Sequence, residues 1–253
     1  MRDNPAFPGY MQLEVPLINS TNLYAEELIS REELPEGSLI YTHNQYDGIG
    51  YADNKWESEP YKNLTVTVLL KPVYLNAADQ FFLTIVVSLS VCDLIEELIE
   101  TASPCIKWPN DIFVNHHKIA GILIKNQLLG PEISTSIAGV GLNINQTEFK
   151  KAPNATSLKL LSGEEYQVTE VMTKWHKLLY HRYTELKSGR EQLLRNYLDK
   201  MYLKDQFHNF IIRNSLTRAA IQGVDRHGLL VLMDEENNKI SCDLKEIVFP
   251  MLG

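Results

Sequence analysis

The chain is short of cysteine, of positive charge and of long apolar runs, and each shortage removes a class of function. Its three cysteines, Cys92, Cys105 and Cys242, are odd in number and widely spaced, so they do not form a disulfide framework. They read as reduced, mostly buried thiols, the usage expected of a cytoplasmic protein. Lys and Arg number 24 against 32 Asp and Glu, for a net charge of −8. Nucleic-acid backbones are bound chiefly by Lys and Arg, so this balance argues against a nucleic-acid partner but leaves room for a small anion held by a few local cations. The most apolar stretch, Phe81 to Val91, is too short to span a bilayer and runs into Asp93, Glu96 and Glu97. It reads as a buried helix, and no membrane partner is expected. The opening MRDNPAFPGY has no apolar signal-peptide core. Internal repeats and low-complexity linkers are also missing.

What remains is an ordinary globular composition, 44% hydrophobic and 22% charged over 253 residues. That length suits one large domain, or a large one with a small one. Ser20-Thr21-Asn22 before LYAEELI predicts a capped amphipathic helix. Residues 38–43 and 63–70 read as strands, 44–62 as a long polar loop, and 77–99 as a buried helix. The runs 105–108, 111–114, 118–124 and 135–143 predict an antiparallel meander. Val171, Trp175, Leu178, Leu179, Arg182 and Leu186 fall at helical spacing, which predicts a helix over 169–187, with a second over 190–201. After about residue 205, short β-like runs at 207–213, 217–224, 228–233 and 239–243 alternate with turns. The expected fold is therefore α+β: helices packed on a mixed or antiparallel sheet over residues 1–204, then a small barrel over 205–253.

Residues 104–124, PCIKWPNDIFVNHHKIAGILI, concentrate the chemistry. Lys107, Asp111 and Lys118 sit on short strands joined by the polar turn Asn115-His116-His117. Two cations and a carboxylate on stiff backbone suit holding a small polar ligand beside a phosphate. The bland alternative is a Trp-Pro turn with solvated charged ends. Neither GIG at 48–50 nor GVG at 139–141 completes a dinucleotide-binding G-x-G-x-x-G. His116-His117 lacks partners at metal-ligand spacing and reads as a solvated turn, so no protein-held metal is expected.

The KWPND at 107–111, with the Lys of KIAG seven residues after its Asp, resembles the signature of biotin protein ligases. STN at 20–22, Gln45, NKWESEPYKNL at 54–64, GVGLNIN at 139–145 and NATSLKLLSG at 154–163 resemble further stretches of that family in the same order. The C-terminal part resembles its SH3-like barrel. The resemblance implies ATP-dependent formation of biotinyl-adenylate, with Mg²⁺, and transfer of biotin to a lysine of a biotin carboxyl carrier protein. It implies Lys118, Lys107 and Asp111 as catalytic residues. Ser20, Thr21, Asn22, Gln45, Gly48, Gly50, Lys118 and Gly121 would bind biotin, and Trp56, Lys107 and Asn143 the ATP. Ser20 and Thr21 serve equally well as a helix cap, and Trp56 equally well as a loop anchor. Residue 1 lies about twenty residues before STN, so the short form without a DNA-binding domain is expected. A homodimer through an exposed sheet edge is compatible with the sequence.

The glycine-rich loop departs from the family pattern G-R-G-x-x-G. Ile49 stands where an Arg is expected, no cation occurs from Gly48 to Asp53, and Asp53 replaces a Gly. Two other readings follow: a slow or inactive relative that still binds biotin or another acyl acid, and a lipoate or octanoate transferase on the same fold.

Overall fold

A computed structural model describes residues 6–50 and 54–250. The first part of the chain runs β1 (Gln12–Glu14), α1 (Thr21–Ile29), β2 (Leu39–Thr42), β3 (Gly48–Ile49), β4 (Lys55–Trp56), β5 (Asn63–Leu70) and α2 (Phe81–Leu98). There follow β6 (Cys105–Lys107), β7 (Asp111–Val114), β8 (His117–Leu129), β9 (Glu132–Asn143), α3 (Leu158–Ser162), α4 (Val168–Glu185) and α5 (Arg190–Asp199). The C-terminal part is β10 (Phe207–Ile212), β11 (Ser215–Val224), β12 (Leu230–Asp234), β13 (Lys239–Cys242) and β14 (Ile247–Val248).

Seven strands form one sheet in the order β1-β2-β5-β9-β8-β7-β6. Only β1 and β2 run parallel; the other ladders are antiparallel. Alternation along each strand gives the sheet two distinct faces. One carries Leu64, Leu142, Ala120, Ile112 and Ile106, which meet α2, α4 and α5 in the main apolar core. Burying a sheet face against a helix as apolar as α2 is the chief stabilisation available to a chain of this composition. Arg182 of α4 adds a two-pronged ion pair to Asp93 of α2, at 2.7 and 2.9 Å. The opposite face is covered over only part of its area by α1, where Ala25 packs with Ile40, Leu69 and Ile137. The rest of that face is where the cavity lies.

The C-terminal strands form a five-stranded antiparallel sheet, β13-β12-β11-β10-β14. The expected barrel is not closed: among the described residues no ladder joins β13 to β14, four and two residues long. Phe210, Leu230 and Leu232 belong to the same apolar cluster as the helices and the large sheet, so the two sheets share a core. The polar loop over 44–62 also differs from expectation, since it contains the short β3–β4 ladder.

Candidate functional site

Cross-strand register assembles the site. Lys107 pairs with Asp111, Asp111 with Gly121, Gly121 with Gly141, Gly141 with Thr65, and Thr65 with Thr42. Directly opposed residues share a face, so one row crosses six strands on the side away from α2. Its centre is glycine. A second row, Leu123, Gly139 and Thr67, runs two residues along. Strict alternation would send Lys118 to the helical face, because it lies three residues from Gly121. A β-bulge prevents this: the register shifts at Ile112/Phe113, Ile119 goes to the core, and Lys118 opposes Phe113. Re-aiming a side chain is a common use of such bulges. The backbone of Lys118 is pinned on both sides, its N–H donating to Asn154 O at 2.9 Å and its carbonyl accepting from Thr156 N at 2.8 Å.

The glycines floor a narrow cavity of about 60 Å³. Ser20, Thr21, Asn22 and Gln45 line one end, and Asp111 and Lys118 the other. Asn22 is locked in place: it accepts from the Thr67 hydroxyl at 2.6 Å and donates to Leu123 O at 3.0 Å. Gln45 accepts from Thr21 N at 3.0 Å. Ser20 has the extended backbone of a helix cap, yet its hydroxyl makes no capping bond and is left to the cavity. The Trp56 indole lies over Gly141 and Gly121 as a wall, its Nε1 buried with no partner.

Asp111 and Lys118 form an ion pair of 2.6 Å, both about a third exposed. They also line a second, larger chamber of about 510 Å³, with Lys107, Lys55, Lys245 and His116. Burial pushes the Lys107 ammonium below the usual lysine range, while Asp111 draws it back up and Lys118 presses it down. The turn between β6 and β7 is braced from outside: Trp108 Nε1 donates to Gly228 O at 2.8 Å, Tyr197 to Pro109 O at 3.2 Å, and Asn110 to Ile122 O. Trp108–Pro109 is a cis peptide. Among the described residues no three His, Cys, Asp or Glu side chains are grouped to hold a metal.

The sequence profile of the biotin/lipoate A/B protein ligase family matches residues 14–143, just over half of the chain. The chain belongs to this family. It is 29% identical over 237 residues to the bifunctional ligase/repressor BirA of Bacillus spizizenii, covering 88% of this chain and 69% of that protein. It is 32% identical over 151 residues to the biotin–[acetyl-CoA-carboxylase] ligase of Paracoccus denitrificans, covering 58% and 60%. In three dimensions it is similar to the biotin protein ligase of Aquifex aeolicus solved with biotin and ATP, at a TM-score of 0.76 and 22% identity over 94% of this chain and 97% of that one.

Within this member of the ligase family, most of the residues expected from the sequence converge. Ser20, Thr21, Asn22, Gln45, Gly50, Trp56, Asp111, Lys118 and Gly121 line the first cavity, and Lys107 joins Asp111 and Lys118 in the second. Gly48 and Asn143 line neither cavity. Gly48 instead packs under Gln45 and Trp56 in the β3–β4 ladder. Asn143 donates to Thr156 O at 2.9 Å and leaves its buried Oδ1 without a partner. Ile49 does face the cavity, while Tyr51, Ala52 and Asp53 lie outside the described residues. His116 is more than a solvated turn residue: its Nδ1 lies 2.8 Å from the Tyr202 hydroxyl. Residues 139–141, part of the family-like stretch 139–145 but assigned no contact of their own, form the cavity floor. Asn110, Lys245 and Phe249 were also missed. Only the spacing of glycines on one strand face could have marked the first group, and no local signal marks the C-terminal pair.

Proposed function

We propose that this chain is an ATP-dependent ligase that forms biotinyl-adenylate and transfers biotin to a lysine of a carboxylase carrier protein. The carrying observation is the glycine-floored cavity whose far end, the Lys118–Asp111 pair, is shared with a lysine-lined chamber. The relatives' names, biotin–[acetyl-CoA-carboxylase] ligase among them, support both the vitamin and the kind of carrier. Biotin's ring would lie among Ser20, Thr21, Asn22 and Gln45, with its carboxylate at Lys118. The phosphates of ATP would occupy the second chamber near Lys107, and Trp56 would cover the join.

In the first step a biotin carboxylate oxygen attacks the α-phosphorus, the bond from phosphorus to the bridging oxygen breaks, and pyrophosphate leaves. Two anions must be brought together, and fixed cations in a partly dry site offset their repulsion. In the second step the uncharged lysine amine of the carrier attacks the acyl carbon, AMP departs and the amine gives up a proton, leaving an amide. Asp111 is suited to orient that amine. Among the described residues Asp111 is the one carboxylate lining the chamber, too few for a resident metal site, so magnesium would arrive with the nucleotide. The family resemblance would also bring Asn143 to the adenine, and its buried Oδ1 has no partner here. The bent β11 and the 3-10 turn Leu244–Glu246 before β14 support reading residues 205–253 as an SH3-like unit, and the free cysteines a cytoplasmic setting.

A slower enzyme is the second reading, favoured by Ile49 in the cavity wall and by Lys55, the loop's nearest cation, being tied to Asp47 at 2.6 Å. Calorimetry with biotin, with and without ATP, together with pyrophosphate release, tests all of this. Biotin binding with pyrophosphate release supports the ligase, and binding with little release supports the slow relative. Binding of lipoate but not biotin overturns both.

A further inference from the structure

Lys107 forms no ion pair among the described residues; Asp111, which stands opposite it in the ladder, pairs with Lys118 at 2.6 Å. What faces its ammonium is aromatic. Nζ lies 5.1 Å from the centre of the Phe113 ring and 5.2 Å from that of Phe249. Phe113 is a neighbour in the same hairpin, but Phe249 comes from the far end of the chain. Its ring is set edge-on to the buried Phe210 at 5.5 Å and 86°. The strand that ends just before it, β14, is held by Ile211↔Val248 and Ile212↔Ile247 pairing. The same segment brings Lys245 to the chamber wall. Ring faces attract an ammonium without neutralising it. A lysine held in this way keeps its whole charge for an anion, whereas a lysine bound to a carboxylate does not.

We propose that Phe249 is a positioning residue for Lys107: with Phe113 it fixes the ammonium in the chamber where the polyphosphate of the nucleotide lies, which makes the C-terminal sheet a working part of that site. The proposal rests on the nucleotide reading above, and its test does not need turnover. In the full chain reductively methylated with ¹³C-formaldehyde, the Lys107 signal is identified by its loss in Lys107→Arg. It is expected to be displaced by ring currents from the cluster of exposed lysines and to move on addition of inorganic pyrophosphate. Phe249→Leu keeps the bulk but not the ring. It should return the signal towards the cluster and weaken pyrophosphate binding about fivefold, and Phe249→Trp should restore most of both. In a Lys107→Ala background Phe249→Leu should weaken pyrophosphate binding no further, as measured by calorimetry. A Lys107 signal inside the cluster, unchanged pyrophosphate affinity in Phe249→Leu, or equal losses in both backgrounds overturns the proposal. Failure of the ligase reading itself shows separately, as absence of biotin binding.

Discussion

A methyl group added at Gly141 would sit 2.4 Å from the Trp56 indole, and one added at Gly139 would sit 2.2 Å from Oδ1 of Asn22. Both distances are impossible, so something must shift, and the two neighbours differ in freedom. Trp56 rides on a two-residue strand at the cavity mouth, whereas Asn22 is buried and bonded to Thr67 and Leu123. Gly141→Ala is therefore expected to displace the indole and weaken biotin binding while leaving stability nearly unchanged. Gly139→Ala is expected to cost about 1–3 kcal/mol in addition, as overpacking does in a tight site. Urea unfolding and biotin calorimetry on both variants check this, and equal stability losses would show that the glycines serve packing alone. Lys107, Asp111 and Lys118 were legible in the sequence because one hairpin carries them at fixed spacing. The roles of Gly139 and Gly141 were not, because their partners, Asn22 and Trp56, lie far away along the chain. Only the folded register brings them together.

Among the elements, β5, α2, α4 and the 105–143 meander follow from periodicity, since each buries a long face against another element. The missed strands are short and sit at edges: β1 is three exposed residues, β14 two, and the β3–β4 ladder two residues a side. Such strands bury too little to leave a hydrophobic pattern, so tertiary pairing alone defines them. The β3–β4 ladder is also where this chain departs from its family. Gly50 N donates to Asn54 O at 2.7 Å, closing the loop's base, and Ile49 presents an aliphatic surface to the cavity beside Gly50. A charge-assisted hydrogen bond contributes about 1.5–3 kcal/mol. If an absent cation limits the reaction, Ile49→Arg should speed adenylation about ten- to a hundredfold, read as pyrophosphate release at saturating biotin and ATP. Release that stays flat or falls would assign the rate to another part of the loop.

At the scale of the whole molecule, one histidine ties the N-terminal segment to the helical layer. His176 of α4 is 1% exposed, and its Nε2 donates to Gly37 O at 2.8 Å. Its ring stacks on Phe7 at 5.1 Å and lies 4.4 Å from Tyr10. Burial lowers its pKa from 6.5 to about 4, an effect that the Gly37 bond only partly opposes. The unfolded chain thus takes up a proton at this residue near pH 6.5, and the folded chain only near pH 4. Above the upper value the residue adds no pH dependence. Below it the unfolded state binds more protons, so stability falls with pH across that window, by up to about 3 kcal/mol at its lower end. His176→Gln keeps an N–H for the Gly37 carbonyl and removes the titration. Urea unfolding at a series of pH values should give a constant difference between variant and parent above about pH 7. The difference should then shift steadily in the variant's favour as the solution is acidified. Curves that stay parallel down to the lower pKa would mean that His176 takes up its proton at the same pH in the folded and unfolded chains.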